Sequence, residues 1–308
     1  MGVSSVLAAP VGLNTRNQNP MFQAYYLPSI NLNSDQGWQV SHSVYLTSAF
    51  QNNQEANETL ILDAENYRYD FSIAYQQNKL RLSATVPFIF NEGGSFDGAI
   101  EDWHDFFGLP QGGRTSRPNN KLDIVYSRNG QTFFSQTEAT NDIGDIAVSL
   151  SYSLANSNKN LSAISIALDL PTGSEKNISG NEAVDAALWL SQAYRASKRT
   201  HLYSLFGVSL PGKGGQLERL QESAVWVGQI GLQYTFYPDW SAILQFDAHT
   251  AFIEGSELDA LGNSLQVQIG VRVEKITQHH DIDLFFSEDI LVGSAPDITA
   301  GVRLYRRY

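Results

Sequence analysis

The chain has no cysteine in its 308 residues, and it holds no run of the roughly 18 consecutive apolar residues that a membrane-crossing helix requires. The second absence excludes a helical membrane protein. The first suits passage through the periplasm, where stray thiols are oxidised. Basic charge is scarce too: Lys and Arg number 20 against 32 Asp and Glu, for a formal net charge of -12. This argues against nucleic acid as a partner, since phosphates demand a basic patch, and is compatible with an outer surface that binds divalent cations. Only 17% of residues are charged, and mean hydropathy is -0.24. That modest value leaves a membrane β-barrel open, because every second strand residue faces the lumen and dilutes the average.

What is present is alternation. In residues 264–274, SLQVQIGVRVE, a strand would point Leu265, Val267, Ile269, Val271 and Val273 one way and Gln266, Gln268, Gly270, Arg272 and Glu274 the other. A soluble antiparallel sheet could do this once, over a core. Repetition along the chain, with turns between the copies, is how a transmembrane antiparallel β-barrel is written. The competing class is a soluble β-sandwich in which the apolar faces meet.

Residues 1–10, MGVSSVLAAP, read as the tail of a signal peptide over 1–8, with small residues placed for cleavage before Ala9; an ordinary terminus is the alternative. Residues 9–35 carry RNQNP, Pro28 and NLNSD. They are not strand-like, and a periplasmic extension or a plug at the barrel's lower mouth is expected. The barrel is expected over 36–308.

Within it, Trp38 to Phe50 alternate, then 58–76, then 79–90. In the second segment the apolar parity switches between Leu60 and Leu62 and the run from Tyr67 to Tyr75, which predicts a β-bulge near Ala64 to Asn66. Residues 91–121 break the rhythm. Phe96, Ile100, Trp103 and Phe107 recur at helical spacing, which predicts a short amphipathic helix ended by Gly108 and Pro110. Asn129-Gly130 between two short apolar runs predicts a hairpin. From Ile146 the strands are regular, down to Ile298, Ala300, Val302, Leu304 and the final Tyr308. Connections alternate between short (QQNK, NSNKN, SKR, PD, HH) and long, as when turns face the periplasm and loops face outside. The count is about fourteen strands with both termini periplasmic. It falls to about twelve if the hairpin at 122–138, whose strands are shorter than the roughly 9 to 11 residues needed, stands above the membrane.

RNQNP (16–20), GGSFDGAIEDWHDFFGLPQGGR and IGDI (143–146) together resemble, over the whole chain, an uncharacterised family of proteobacterial outer-membrane barrels known only as a domain of unknown function. Gly144-Asp145 ahead of a strand and Leu170-Pro171-Thr172-Gly173 are also similar to barrels associated with aromatic-degradation pathways, which are related to long-chain fatty-acid transporters. The resemblance implies a barrel in the outer membrane of a Gram-negative bacterium and brings no established activity with it. The closing aromatic looks like the terminal signature of such barrels. It implies the barrel-assembly machinery as a partner, beside outer-membrane lipid and lipopolysaccharide.

An outer-membrane hydrolase would need a His paired with Ser or Asp near one rim. Asp247 and His249 share an inward face and make the best such pair; a hydrated pair in the lumen is the plainer reading. His279 and His280 occupy a tight turn where adjacent side chains point apart, which disfavours a metal site. No Ser/His/Asp spacing rises above chance, so no enzyme activity, metal or cofactor is expected. Inward charges are many, among them Arg81, Arg195, Asp247, Arg272 and Arg303. Charges in a dry interior must be paired, so they imply either water or a dense salt-bridge network across the lumen. The functional expectation is passive uptake of a small hydrophobic or amphipathic compound, gated by the 91–121 insert. Trp103 and Phe107 would pack into the barrel mouth, with Glu101, Asp102 and Asp105 facing wall arginines such as Arg81 or Arg272. A lipid or peptide hydrolase and a structural or adhesive envelope protein are the alternatives.

Overall fold

A computed structural model describes residues 12–30, 32–33, 35–55, 57–108, 114–157, 159–291, 293 and 295–308; the side chains of Ala99, Trp103, His104, Phe107 and Ser116, and the stretch 1–8 where a signal-peptide tail is expected, fall outside the described residues. The alternating segments are strands: β1 (Gly37–Glu55), β2 (Glu58–Gln77), β3 (Leu80–Glu92), β4 (Asp123–Arg128), β5 (Gln131–Gln136), β6 (Thr140–Ile143), β7 (Ile146–Asn156), β8 (Asn160–Leu170), β9 (Asp185–Arg195), β10 (Thr200–Leu210), β11 (Val225–Tyr237), β12 (Trp240–His249), β13 (Ser264–Thr277), β14 (His280–Asp289) and β15 (Ile298–Arg307). The predicted helix is α1 (Asp97–Phe107), and it ends where Gly108 turns to positive φ (66°).

All pairings are antiparallel. β1 pairs with both β2 and β15, β2 with β3, β3 with β7, and each later strand with its successor, so twelve strands close a barrel. The count of fourteen is corrected to its alternative. β4 and β5 have six residues each, too few to cross a bilayer, and they stand on the upper end of β2 at Glu58–Asp63. Their turn is the expected one, with Asn129 and Gly130 both at positive φ (53° and 74°).

The exterior follows the alternation. On β13, Gln266, Gln268 and Arg272 are buried in the lumen while Ile269 is 60% exposed on the outside. Outward aromatics gather at the short-turn end. Trp38 packs on Tyr75 (ring centroids 4.8 Å apart), Lys79 lies over Tyr152 (5.6 Å), Lys159 over Tyr194 (5.5 Å) and Arg306 over Tyr308 (4.3 Å). A girdle of rings and cations suits the lipid headgroup layer, apolar below the ring and wet at its edge.

The parity switch on β2 is not a bulge. The β1–β2 register runs unbroken from Gly37 opposite Gln76 to Glu55 opposite Glu58. Leu60 and Leu62 share the inward face of Arg68 and Asp70, and they join a buried cluster with Tyr126, Phe134, Phe252, Ile253 and Leu261. The apolar side changes because the surroundings change: lipid lies outside the lower half of β2, and a cap of loops lies inside the upper half.

Candidate functional site

Residues 12–30 run inside the barrel rather than stopping at its lower mouth, and Gln36 bonds to Asn78 at a short turn. The rising leg climbs β12 two residues at a time. Leu13 N donates to Gln245 Oε1 (3.0 Å), Thr15 Oγ1 to Asp247 Oδ2 (2.6 Å) and Asn17 Nδ2 to His249 Nε2 (2.9 Å). At the top, Phe22 and Tyr25 stack on Phe252 (5.1 and 4.9 Å), and Gln221 Nε2 donates to the Tyr25 hydroxyl (2.7 Å). The descending leg returns past Asp185, which accepts from Tyr26 N (3.0 Å), and Gln229, which accepts from Ile30 N (2.8 Å). The two legs cross so closely that a Cβ on Gly12 would lie 1.8 Å from Ile30 Cγ2. Gly270 on β13 likewise leaves the space that Leu13 occupies, with Leu13 Cδ1 3.0 Å from where its Cβ would be.

Beneath the plug, charges answer one another across strands. Asp283 on β14 stands directly opposite both Arg272 on β13 and Arg303 on β15. It accepts from Arg272 Nε (2.7 Å) and Nη2 (3.0 Å) and from Arg303 Nε (3.0 Å), while Arg303 Nη2 also donates to Gly12 O (3.0 Å). The dense network is thus real on this side, and it seats the plug.

The other side of the lumen is different. There β1–β3 and β7 present small residues, Ser41, Ser72, Ser83, Thr85 and Ser149, to the plug, and a cavity of about 130 Å³ remains between them. Gln39 and Arg81 line its lower end, and Asp145 and Asp169 line its upper end. Asp145, in the bend before β7, accepts from Gly173 N (2.8 Å) and Asn181 N (3.2 Å), while burial raises its carboxyl pKa. Thr172 Oγ1 donates to Gly144 O (2.8 Å), so the IGDI and LPTG motifs are each other's partners at the upper rim.

The expected site residues do not converge. Arg81 and the half-buried Arg195 lie near the short turns, whereas α1 follows the far end of β3, on the order of 35 Å along the strand from Arg81. Glu101 is half-buried, Asp102 and Asp105 are exposed, and the side chains of Trp103 and Phe107 lie outside the described residues. Arg272 and Arg303 are held by Asp283, and neither meets the insert's carboxylates as expected. Asp247 and His249 bind the plug, and His249 Nδ1 donates to Thr250 O (2.8 Å). The plug residues Thr15, Arg16 and Asn17 were the ones sequence reasoning missed. RNQNP, dense in side-chain amides, was their signal.

Among proteins of curated function, none matches the chain. An outer membrane channel from Pseudomonas putida F1 shares 13% identity over 92% of this chain and 98% of its own, with a TM-score of 0.57. The NanC porin shares 6% over 88% and 100% (TM-score 0.49), and the P. putida toluene transporter TodX 9% over 89% and 91% (0.43). The first likeness carries the fold, an outer-membrane barrel. Together with the apolar exterior and its girdle, that fold places the protein in the outer membrane of a Gram-negative bacterium. The family described as "Protein of unknown function (DUF3187)" matches residues 5–308, nearly the whole chain, and the protein belongs to that family.

Proposed function

We propose that the protein is an outer-membrane channel through which small amphipathic compounds pass passively along the open face of the residue 12–30 plug. The observation that carries this reading is the asymmetry of the lumen. Gln, Arg and aromatic side chains fill one wall against the plug, while serines and a threonine on the other leave a lane beside it. Tyr26, Leu27 and Trp189 give that lane apolar patches next to its arginines, which suits a solute with both characters.

The 91–121 insert is the proposed cover of the outer end. Asp97 and Arg114 pair beneath α1, Arg114 reaches Asp297 and lies over the Phe50 ring (5.2 Å), and Glu65 accepts from Ser95 N (3.0 Å), which ties the insert to the rim. The test is planar-bilayer conductance and liposome uptake for three proteins: the intact chain, a version with residues 95–113 replaced by a Gly/Ser linker, and one lacking residues 12–33. Passage by the intact protein, and larger conductance in both variants, is expected. Three folded but silent proteins would end the channel reading. No change on replacing 95–113 would remove the gate from it.

A further inference from the structure

We propose that the lower end of this lane is a binding site for the carboxylate of a small organic acid, with Arg81 Nη1 and Gln39 Nε2 as its donors. The inference rests on the channel reading and names its solute class. Both nitrogens are buried, both lack a hydrogen-bond partner among the described residues, and both side chains line the same cavity. Arg81 is only 7% exposed. Leaving a buried donor unbonded is costly, so a guanidinium and an amide left unbonded at one end of one cavity point to a missing acceptor.

The register brings them together. Gln39 on β1 lies opposite Ala74 on β2, Ala74 lies opposite Ser83 on β3, and Arg81 is the next inward residue below Ser83. The donors therefore flank one strand at adjacent levels, with backbones on the order of 10 Å apart, and the small Ala74 side chain leaves the space between them clear. Two long side chains can close that gap on one carboxylate, and a guanidinium fork matches its two oxygens.

The other arginines that line this cavity, Arg16, Arg68 and Arg303, are already committed. Arg16 and Arg68 pair with Asp70 (3.4 and 2.7 Å), and Arg272 and Arg303 pair with Asp283. Asp35, the carboxylate whose charge acts on Arg81, is itself held by Arg307 (2.9 Å). Arg81 thus keeps its charge available to a solute on the periplasmic side of the lane.

Calorimetric titration of the detergent-folded protein with benzoate and with benzamide, its neutral counterpart of like shape, tests the site. Benzoate should bind at least tenfold more tightly than benzamide. Arg81→Gln should weaken benzoate about tenfold or more without moving benzamide, with Arg81→Lys and Gln39→Ala losing less. Heat-shifted mobility on a gel confirms folding; should Arg81→Gln not fold, Arg81→Lys and Gln39→Ala decide. Equal binding of the two probes, or benzoate binding indifferent to these substitutions, overturns the proposal. Inorganic phosphate displacing benzoate below the concentration at which benzoate binds would give the site to phosphate and overturn the carboxylate assignment. Binding without conductance would sink the channel reading alone, and conductance without Arg81-dependent binding would sink this site alone.

Discussion

Asp283 is fully buried between two arginines on neighbouring strands, and removing it would strand both cations in the lumen wall. Breaking a buried pair leaves an uncompensated charge, so Asp283→Ala is expected to cost about 3 to 5 kcal/mol in urea titrations of the folded barrel, and Asp283→Asn less. A loss under about 1 kcal/mol would mean that water already solvates both arginines there. On the opposite face, Ile269→Arg should cost about 2 to 4 kcal/mol in the same titration, while Ile269→Val is tolerated. Which way these residues point was legible, because parity alone decides it. Their partners were not. Counting back from the His279-His280 turn, whose first pair is Thr277 with His280, would set Arg272 opposite Phe285. The strand is irregular between Val273 and Thr277, where Lys275 takes positive φ (55°), and this moves Asp283 into that place.

Among the elements, the loop between β12 and β13 also reaches across the upper end of the barrel, where sequence reading placed only the long insert. Its residues 254–257 cross to the β2–β4 corner. Glu58 there accepts from Ser256 Oγ (3.1 Å) and Glu257 N (3.0 Å), and Arg128 donates to the carbonyls of Glu254 (2.7 Å) and Gly255 (2.5 Å). Glu58→Ala should release this clasp, so added protease should cut within 250–263 several-fold faster than in the parent while the barrel still shifts on heating. Unchanged cleavage would mean that the stacked Phe252 holds the loop without help. α1 was legible from its spacing, and so was the β4–β5 hairpin from Asn-Gly, because both signals are local. The plug's path was not. A polar segment without alternation shows that it is not a strand, but the wall that receives it depends on Gln229, Gln245 and Asp247, spaced along strands some 200 residues away. The misread bulge has a related cause. Parity reports which side is apolar, and on β2 that side is set by lipid in one half and by the cap in the other.

For the whole molecule, the cylinder is closed by ten β1–β15 pairs, from Gln39 opposite Arg307 to Ser48 opposite Ile298, and no residue of the plug takes part. A closed ladder is what lipid demands, since an unpaired strand edge has no water to bond to within the bilayer. The plug instead hydrogen-bonds to side chains of β11 and β12, among them Gln229, Gln245 and Asp247, amides and a carboxylate that water can solvate as well as the plug does. Removing residues 12–33 is therefore expected to leave a barrel that still changes gel mobility on boiling and still requires detergent, with a urea midpoint lowered modestly compared with Asp283→Ala. A deletion variant that no longer shifts on boiling would make the plug part of the folding core, with closure dependent on it. Intact protein that enters buffer as a soluble monomer would contradict the lipid-facing exterior itself, because side chains such as Ile269, Phe206 and Trp226 would then have no apolar surroundings to face.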